Sequence, residues 1–168
     1  MDNTEMAEDI LIREGRSQEL DDLEALVKTA YREFQQFFPA ERWQGWMDNI
    51  RDTVHSREGV VIVAEDRGRI RGVVKFYPDA GQARLGQWPR PASSMRILAV
   101  HPESRGKGYG TLLVNECVRR ARALQIPRIY LYTGTFMTAA RHIYERIGFK
   151  RAPEFDRDPG PIAYRLDL

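Results

Sequence analysis

The sequence predicts an α/β domain built on a mixed β-sheet, and two local patterns carry that prediction. A strand-like run at 95–100 is followed by a glycine-rich turn at 105–111, a helical stripe at 111–124 and a second strand at 128–133. A strand, a helix and a strand in this order form a right-handed crossover between parallel neighbours. Antiparallel hairpins on either side of this parallel centre make the predicted sheet a mixed one.

The first part of the chain is predicted to supply one strand and two helices. Residues 1–9 are polar and are expected to fray, so the single domain spans residues 10–168. A short strand at 10–13 precedes a helix at 17–34, whose apolar residues recur at helical spacing. A second amphipathic helix is predicted at 41–54.

A hairpin and a long loop come next. The β-branched run at 60–64 and the segment 70–77 are predicted to pair through a tight turn at 66–68. The loop at 78–93 is rich in glycine and proline and carries Trp88. Loops of this length inside a compact domain are often functional.

The last helix and strand follow the predicted strand 128–133. Residues 138–147 form an apolar helical stripe that Gly148 is predicted to close as a C-terminal cap. Apolar residues alternate in 162–168, which predicts a final strand. We find no internal repeat and no composition shift that predicts a second domain.

The composition fits an enzyme-sized globular domain and disfavours several other classes. Hydrophobic residues make up 42% of 168 positions, and Lys plus Arg number 26 against 24 Asp plus Glu. A nucleic-acid binder usually has a larger basic excess. The one cysteine, Cys117, excludes an internal disulfide and is expected to be a buried structural thiol. Without a long apolar run or an apolar leader, we expect a cytoplasmic protein with no membrane, nucleic-acid or metal partner.

The segment RGKGYGT at 105–111 predicts an anion site. Glycines let the backbone approach a ligand and point several N–H groups at one spot, and a helix N-terminus adds partial positive charge. Arg105 and Lys107 add full charges. A plain turn with solvated charges is the alternative, but alternating glycines cost backbone entropy that such a turn does not require. We therefore expect a pyrophosphate here.

The spacing of these glycines identifies the kind of phosphate loop. A Walker loop and a dinucleotide fingerprint both require other spacings, and the region near Tyr130 lacks the acidic residue of the second. The pattern Arg105-x-x-Gly108-x-Gly110 instead resembles the pyrophosphate loop of the GCN5-related N-acetyltransferase (GNAT) family. LAVHP at 98–102 resembles that family's central strand, and A-x-x-x-Y-E-x-x-G-F at 140–149 its last helix. These motifs cover 95–150 in the family's order.

The resemblance implies a GNAT-type fold, in which a mixed, splayed central sheet is flanked by helices, and an acetyl-CoA-dependent N-acetyltransferase. The pyrophosphate of coenzyme A would lie on the glycine loop. The pantetheine arm would follow strand 95–100 in the gap between it and strand 128–133. A backbone N–H of Leu98 or Val100 would stabilise the oxyanion. The implied cofactor contacts are Leu98, Ala99, Val100, Arg105, Gly106, Lys107, Gly108, Tyr109, Gly110 and Thr111.

Tyr144 has two interpretations. It lies on an apolar helical face with Ala140, Ile143 and Ile147, which favours simple packing in the core. The resemblance instead assigns Tyr144 the role of general acid. A phenol, with a pKa of about 10, stays protonated at neutral pH and can donate to a departing thiolate, whose thiol titrates at about 8.5.

The sequence does not identify a general base. Relatives carry a glutamate on the central strand or on the next one, where this chain has 93–95 (SSM) and Tyr132. A water relay or desolvation could serve instead. Met137 stands where many relatives have an asparagine that contacts the cofactor arm. The remaining candidate bases, each more simply explained as a solvated surface group, are Glu65, His101, His142, Glu154 and Asp156.

The acceptor site is expected in the variable parts, at 17–54, 78–93 and 154–160. Most aromatic residues of the helices are expected to be core, whereas Trp88 is predicted to form an aromatic lip that suits a flat, apolar or cationic acceptor. The expected partner is a small-molecule primary amine. A protein or peptide acceptor and a non-catalytic acyl-CoA-binding sensor are the alternatives, and a homodimer is left open.

Overall fold

The computed structural model describes residues 9–168, which form one seven-stranded sheet with helices on both faces. Its strands are β1 (Ile10–Glu14), β2 (Val60–Asp66), β3 (Arg69–Tyr77), β4 (Ser93–Val100), β5 (Arg128–Thr133), β6 (Lys150–Arg151) and β7 (Ile162–Asp167). They lie in the order β1-β2-β3-β4-β5-β7-β6, and β4 and β5 are parallel while the other neighbours are antiparallel. The mixed sheet is therefore confirmed. The predicted frayed tail lies outside the described residues except for Asp9, which is in a turn.

Four α-helices occupy the predicted places. They are α1 (Leu20–Tyr31), α2 (Ala40–His55), α3 (Tyr109–Ala123) and α4 (Thr138–Ile147). Short 3₁₀ turns at Ser17–Glu19 and Arg32–Phe37 extend α1 at both ends, so the predicted helix 17–34 is α-helical in its centre. Within residues 9–168, none of the helices combines the length and the apolar character that crossing a bilayer requires.

The helices form two layers, one on each side of the sheet. Successive side chains of a strand point to opposite faces, so Ile62 and Val74 pack with α3 and α4, whereas Val63 and Val73 pack with α1 and α2. A third cluster joins the loop before β4 to β5 and β7. Cys117 is fully buried in the first layer, as expected for a structural thiol, and its burial raises its pKa.

Two predicted turns have the backbone geometry that their glycines suggest. Arg67 and Gly68 connect β2 to β3 with φ angles of 52° and 77°, the left-handed conformation of a two-residue hairpin turn. Gly148 ends α4 at φ 116°, and the N–H groups of Gly148 and Phe149 donate to the carbonyl of Tyr144 at 3.1 and 2.9 Å. These two hydrogen bonds form a C-terminal cap of the predicted kind.

Strand β4 contains a β-bulge that the sequence did not predict. One residue of β3, Val74, lies between Val73 and Lys75, whereas two residues of β4 lie between their partners Ala99 and Arg96. Ile97, inside this interval, has a φ of 54°. A positive φ is a genuine outlier for a β-branched residue, and such strain concentrates at functional sites. The bulge leaves Ile97 and Leu98 without a partner residue in the sheet.

Strands β4 and β5 diverge soon after they begin. They pair only at Ser93 with Ile129 and at Ser94 with Tyr130, although β4 continues to Val100 and β5 to Thr133. The unpaired parts of the two strands form a V in the middle of the sheet. The splayed sheet that the resemblance implied is therefore present.

An ion pair connects β1 to the turn before α1. Nη1 and Nη2 of Arg13 donate to the two carboxylate oxygens of Glu19 at 2.9 and 2.8 Å, and the backbone N–H of Arg16 donates to Glu19 at 2.8 Å. These hydrogen bonds lower the pKa of the Glu19 carboxyl to about 2, and the interaction with the Arg13 side chain has the largest effect. The side chains of the pair are largely buried, with 13% and 18% of their surfaces exposed.

We expect Glu19→Gln to lower the free energy of unfolding by about 1 kcal/mol at pH 7. A carboxyl whose pKa falls on folding contributes stability above its unfolded pKa of about 4.3, and loses it as the pH falls through the folded value. The deficit of the variant should therefore shrink between about pH 5 and pH 2, as denaturant titrations across that range would measure. Glu103→Gln, at an exposed residue, is the control; a deficit that stays constant down to pH 2 would contradict the assignment.

Candidate active site

The glycine loop between β4 and α3 meets two different structural requirements. Gly106 and Gly108 have φ angles of 78° and 88°, and a Cβ added to either would meet nothing within 4 Å. The left-handed backbone therefore explains these glycines, and the space above them is open. Gly110 differs, because a Cβ there would lie 2.7 Å from Cδ1 of Ile143. Gly110 thus allows α3 to pack closely against α4.

A first cavity of about 400 Å³ lies over this loop. The end of β4, the start of α3 and the facing ends of α1 and α4 form its walls. Lys107 is exposed and does not line it. Tyr109 contributes backbone, since its hydroxyl donates to the carboxylate of Asp66. The predicted cofactor contacts that line the cavity are Leu98, Ala99, Val100, Arg105, Gly106, Gly108, Tyr109, Gly110 and Thr111.

Arg105 lies at this cavity but is already bound within the protein. Its guanidinium donates to the carbonyl of Ala30, at the end of α1, at 3.0 Å and lies 3.1 Å from the carboxylate of Glu33. Glu33 also lines the cavity. No sequence pattern indicates this pair, because the two residues are far apart in the chain and on different elements.

A second cavity of about 520 Å³ lies on the other side of the V. The middle of β4, helix α2 and the segments 84–88, 134–137 and 159–161 contribute to its walls. Three residues, Tyr31, Leu98 and Met137, line both cavities. The two spaces therefore meet where β4 and β5 diverge.

Tyr144 fits both of its predicted interpretations. Its side chain is 5% exposed and packs near Phe149 and Tyr164, with ring centres 5.7 and 6.0 Å away. It also lines the second cavity. Burial raises the pKa of its hydroxyl, which keeps the phenol protonated at neutral pH.

Tyr31 is a functional candidate that sequence reasoning treated only as core. Its hydroxyl donates to the carbonyl of Leu98 at 2.7 Å, next to the bulge, and its ring stacks on Trp46 at 5.1 Å. This hydrogen bond holds the end of α1 against β4. The carbonyl of Leu98 therefore already accepts a hydrogen bond from a side chain of α1.

None of the candidate bases lines the second cavity. Glu65 pairs with Arg13 and Asp156 with Arg151, and the Nδ1 atom of His101 accepts from a backbone N–H. His142 lines the first cavity, whereas Glu154 lies 3.9 Å from Arg165. Among residues 9–168, the walls of the second cavity contain no aspartate, glutamate or histidine.

The expectation that Trp88 forms an exposed lip is wrong. Trp88 is 7% exposed, stacks on Tyr130 at 4.9 Å and packs beside Tyr132 at 4.6 Å, so it forms a buried wall of the second cavity. Its loop folds back onto the sheet, and that long-range packing is invisible in the sequence. The aromatic rim comes instead from Phe37, which is 53% exposed and stacks on Phe136 at 4.8 Å.

Met137 occupies the join between the cavities. Its sulfur accepts weak hydrogen bonds from the backbone N–H of Gly134 at 3.5 Å and the hydroxyl of Thr133 at 3.6 Å. The thioether thus caps the end of β5 and begins α4. It cannot supply the amide donor that an asparagine would offer at this position.

A splayed sheet with a glycine loop at the start of a helix, and with cavities on both sides of the V, defines an α/β protein of the acetyltransferase type. The sequence profile of the acetyltransferase (GNAT) family matches residues 21–149. The chain therefore belongs to this family, as the motifs indicated.

Similar proteins agree with this membership. An uncharacterized N-acetyltransferase of Schizosaccharomyces pombe is 28% identical over 154 residues, 90% of each chain. Mycothiol acetyltransferase of Salinispora arenicola is 28% identical over 115 residues, which cover 67% of this chain and 33% of that protein.

Solved structures share the fold at low identity. The PaiA N-acetyltransferase of Thermoplasma acidophilum, in complex with coenzyme A, superposes with a TM-score of 0.72 at 15% identity, covering 95% of this chain and 99% of that one. A GNAT-family acetyltransferase of Brucella melitensis, in complex with acetyl-CoA, gives 0.63 at 19% identity, covering 95% and 88%. The GNAT-type fold class is thereby confirmed.

Proposed function

We propose that the protein transfers an acetyl group from acetyl-CoA to the primary amine of a small molecule. The observation that carries this proposal is the junction of the two cavities at Tyr31, Leu98 and Met137. A donor in the first cavity and an acceptor in the second can meet at these shared residues. The complexes of similar folds with coenzyme A and acetyl-CoA support the donor.

The glycine loop would hold the pyrophosphate of coenzyme A. The open space above Gly106 and Gly108 would let phosphate oxygens approach the backbone. The first N–H groups of α3 would donate to these oxygens, and the N-terminus of the helix adds partial positive charge. Lys107, outside the cavity wall, would contribute long-range attraction only. The pantetheine arm would lie along 98–100, where β4 has no neighbour on the β5 side.

The bulge would supply the oxyanion donor. Ile97 and Leu98 have no partner residue on either neighbouring strand, so the N–H of Leu98 would be available as this donor. Tyr31 holds the carbonyl of the same residue at 2.7 Å and so helps to fix the orientation of this peptide segment. A preorganised backbone N–H can stabilise the tetrahedral intermediate.

Tyr144 would donate the proton that the leaving thiolate requires. The amine nitrogen attacks the thioester carbon, a C–N bond forms, and collapse of the intermediate breaks the C–S bond. The leaving thiolate takes the hydroxyl proton of Tyr144, and the extra proton of the attacking amine passes to water. Solvent then returns a proton to Tyr144. Its raised pKa keeps the donor protonated before the reaction.

Positive charge in the second cavity would replace a general base. Arg42, Arg84 and Arg96 line this cavity. Like charges disfavour a bound ammonium group and lower its pKa, so the acceptor loses its proton to water more readily. This accounts for a transferase without a carboxylate beside the amine.

A non-catalytic acyl-CoA sensor is the second candidate, because the described walls of the second cavity lack any carboxylate or imidazole base. Release of free thiol from acetyl-CoA, assayed with a panel of small amines, peptides and a no-amine control, separates the candidates. Turnover with a small amine supports the proposal, turnover with peptides alone favours a peptide acetyltransferase, and binding without turnover favours the sensor.

We expect Gly108→Asp to abolish the thermal stabilisation that coenzyme A confers on the wild type, because the new carboxylate would face the pyrophosphate. Gly68→Asp is the matched control. Gly68 also has a positive φ, of 77°, and open space around it, but it lies in the β2–β3 turn. Both variants should lose similar intrinsic stability, and differential scanning fluorimetry would show whether only the control retains the shift. An equal shift in both variants would overturn the loop assignment.

Tyr144→Phe should lower turnover by about 10²–10⁴-fold and leave the affinity for coenzyme A unchanged, since a lost proton donor acts on the transition state. Tyr164→Phe is the control. Tyr164 is a buried neighbour whose hydroxyl donates to Glu145 at 2.7 Å outside both cavities. It should lose stability and retain turnover. Wild-type turnover in Tyr144→Phe would remove the assignment.

The pH dependence of transfer should reveal the positive cavity. With an arylalkyl amine that lacks a carboxylate as acceptor, the single-turnover rate constant should rise with pH along an ionisation about one unit or more below the pKa of the free amine. Rapid-quench measurements from pH 6 to pH 10 would give this value. Arg96→Met should move it back toward that of the free amine; an ionisation at or above the pKa of the free amine in the wild type would rule out this account.

A further inference from the structure

We infer that the natural acceptor carries an anionic group, a carboxylate, beside its amine, and that Arg96 binds it. This inference rests on the proposed function and names its substrate class. The evidence is the distribution of charge around the second cavity, together with the aromatic character of its walls.

Arg96 is a half-buried cation whose hydrogen-bond partners are neutral groups. It projects from β4 one residue before the bulge, and its Nη2 donates to the side-chain oxygen of Asn49 at 2.5 Å, its Nη1 to the carbonyl of Ala83 at 3.5 Å. The phenols of Tyr31 and Tyr77 lie close to it, and burial lowers its pKa. A guanidinium stays charged under all these conditions, and several of its N–H donors are left over.

Three other partly buried arginines of this chain have carboxylate partners, whereas Arg71 and Arg141 bind only neutral groups among residues 9–168. Arg13 pairs with Glu19 at 2.8 Å, Arg120 pairs with Glu14 at 2.9 Å, and Arg151 pairs with Asp156. Arg96 lies within 4 Å of no carboxylate among residues 9–168. Withdrawing a charge from water is costly unless an opposite charge compensates it. An anionic ligand would provide that compensation.

The other cations of the cavity strengthen the same preference. Arg42, at the rim on α2, also has no carboxylate partner in the described chain, whereas Arg84 pairs with Glu58 at 3.1 Å. The potential inside the cavity is therefore positive. A linear polyamine, which adds positive charge at each nitrogen, would be repelled.

The walls specify the remainder of the acceptor. Trp46, Phe38 and Phe136 line the cavity together with Trp88, and several of their rings are within about 5 Å of one another. A flat or apolar body fits this lining, and the carboxylate on Arg96 would orient it. An aromatic amino acid, or a compound of that class, combines the three required features: amine, carboxylate and apolar ring.

The test uses pairs of acceptors that differ only by the carboxylate: phenylalanine and phenethylamine, tyrosine and tyramine, tryptophan and tryptamine. With saturating acetyl-CoA, thiol release should give a kcat/KM at least about tenfold higher for the carboxylate member of at least one pair. Putrescine is the polycationic comparison and should be the poorest acceptor. A preference for the amines that lack a carboxylate, or for putrescine, would overturn the inference.

The arginine is then tested by substitution. Arg96→Met should reduce the preference by lowering kcat/KM of the carboxylate acceptor about 10- to 100-fold and that of its partner without a carboxylate by a smaller factor. Arg96→Lys should restore part of it, because it keeps the charge and loses the planar fork. Arg122→Met, at an exposed position on α3, is the matched control and should behave as the wild type. A preference that survives undiminished in Arg96→Met would exclude this role.

A binding measurement separates failure of this inference from failure of the proposed function. Calorimetric titration of N-acetylphenylalanine into the protein saturated with coenzyme A does not depend on turnover. Weaker binding by Arg96→Met, with an unchanged thermal shift by coenzyme A, supports the anion site even if no amine is acetylated. Absence of binding to the wild type, or equal binding by Arg96→Met, overturns it while leaving the donor site intact.

Discussion

The divergence of β4 from β5 is the constraint on which the remainder of this molecule depends. Two parallel strands that pair only at Ser93 and Ser94 leave backbone groups along the rest of β4 without a neighbour on that side. A sheet opened in its centre would normally be filled by side chains, because interiors are close-packed. Here the opening joins two cavities, and the helices on both faces are placed so as to leave it accessible.

The bulge and Tyr31 keep this opening in one shape. Ile97 takes a backbone conformation that costs free energy, and the surrounding structure must offset that cost. The hydroxyl of Tyr31 donates to Leu98 from the end of α1, and the ring of Tyr31 rests on Trp46 of α2. Helices α1 and α2, which contribute to the walls of the second cavity, are therefore connected to β4 through Tyr31. Changes in α2 can thus affect the bulge without contacting it.

Local signals predicted most of the fold, and long-range contacts account for what they missed. Glycine spacing, alternation and helical stripes identified the hairpin at Arg67–Gly68, the cap at Gly148 and the loop before α3, since each depends on neighbouring residues alone. The bulge at Ile97, the fold-back of Trp88 and the pairing of Arg105 with Glu33 depend on packing between distant segments. Arg96 was overlooked because a lone arginine on a strand carries no motif.

The internal partner of Arg105 changes the meaning of its positive charge. In the structure, the guanidinium of Arg105 already forms an ion pair with the carboxylate of Glu33. It also donates a hydrogen bond to the carbonyl of Ala30. A phosphate arriving at this residue would displace one anion rather than fill an empty site, so the phosphate and Glu33 would compete for the guanidinium. Because added salt weakens both the old pair and the new one, affinity would depend on ionic strength less steeply than the number of cations suggests. Because Arg105 also donates to the carbonyl of Ala30, loss of the Glu33 pair alone would leave this residue attached to the end of α1.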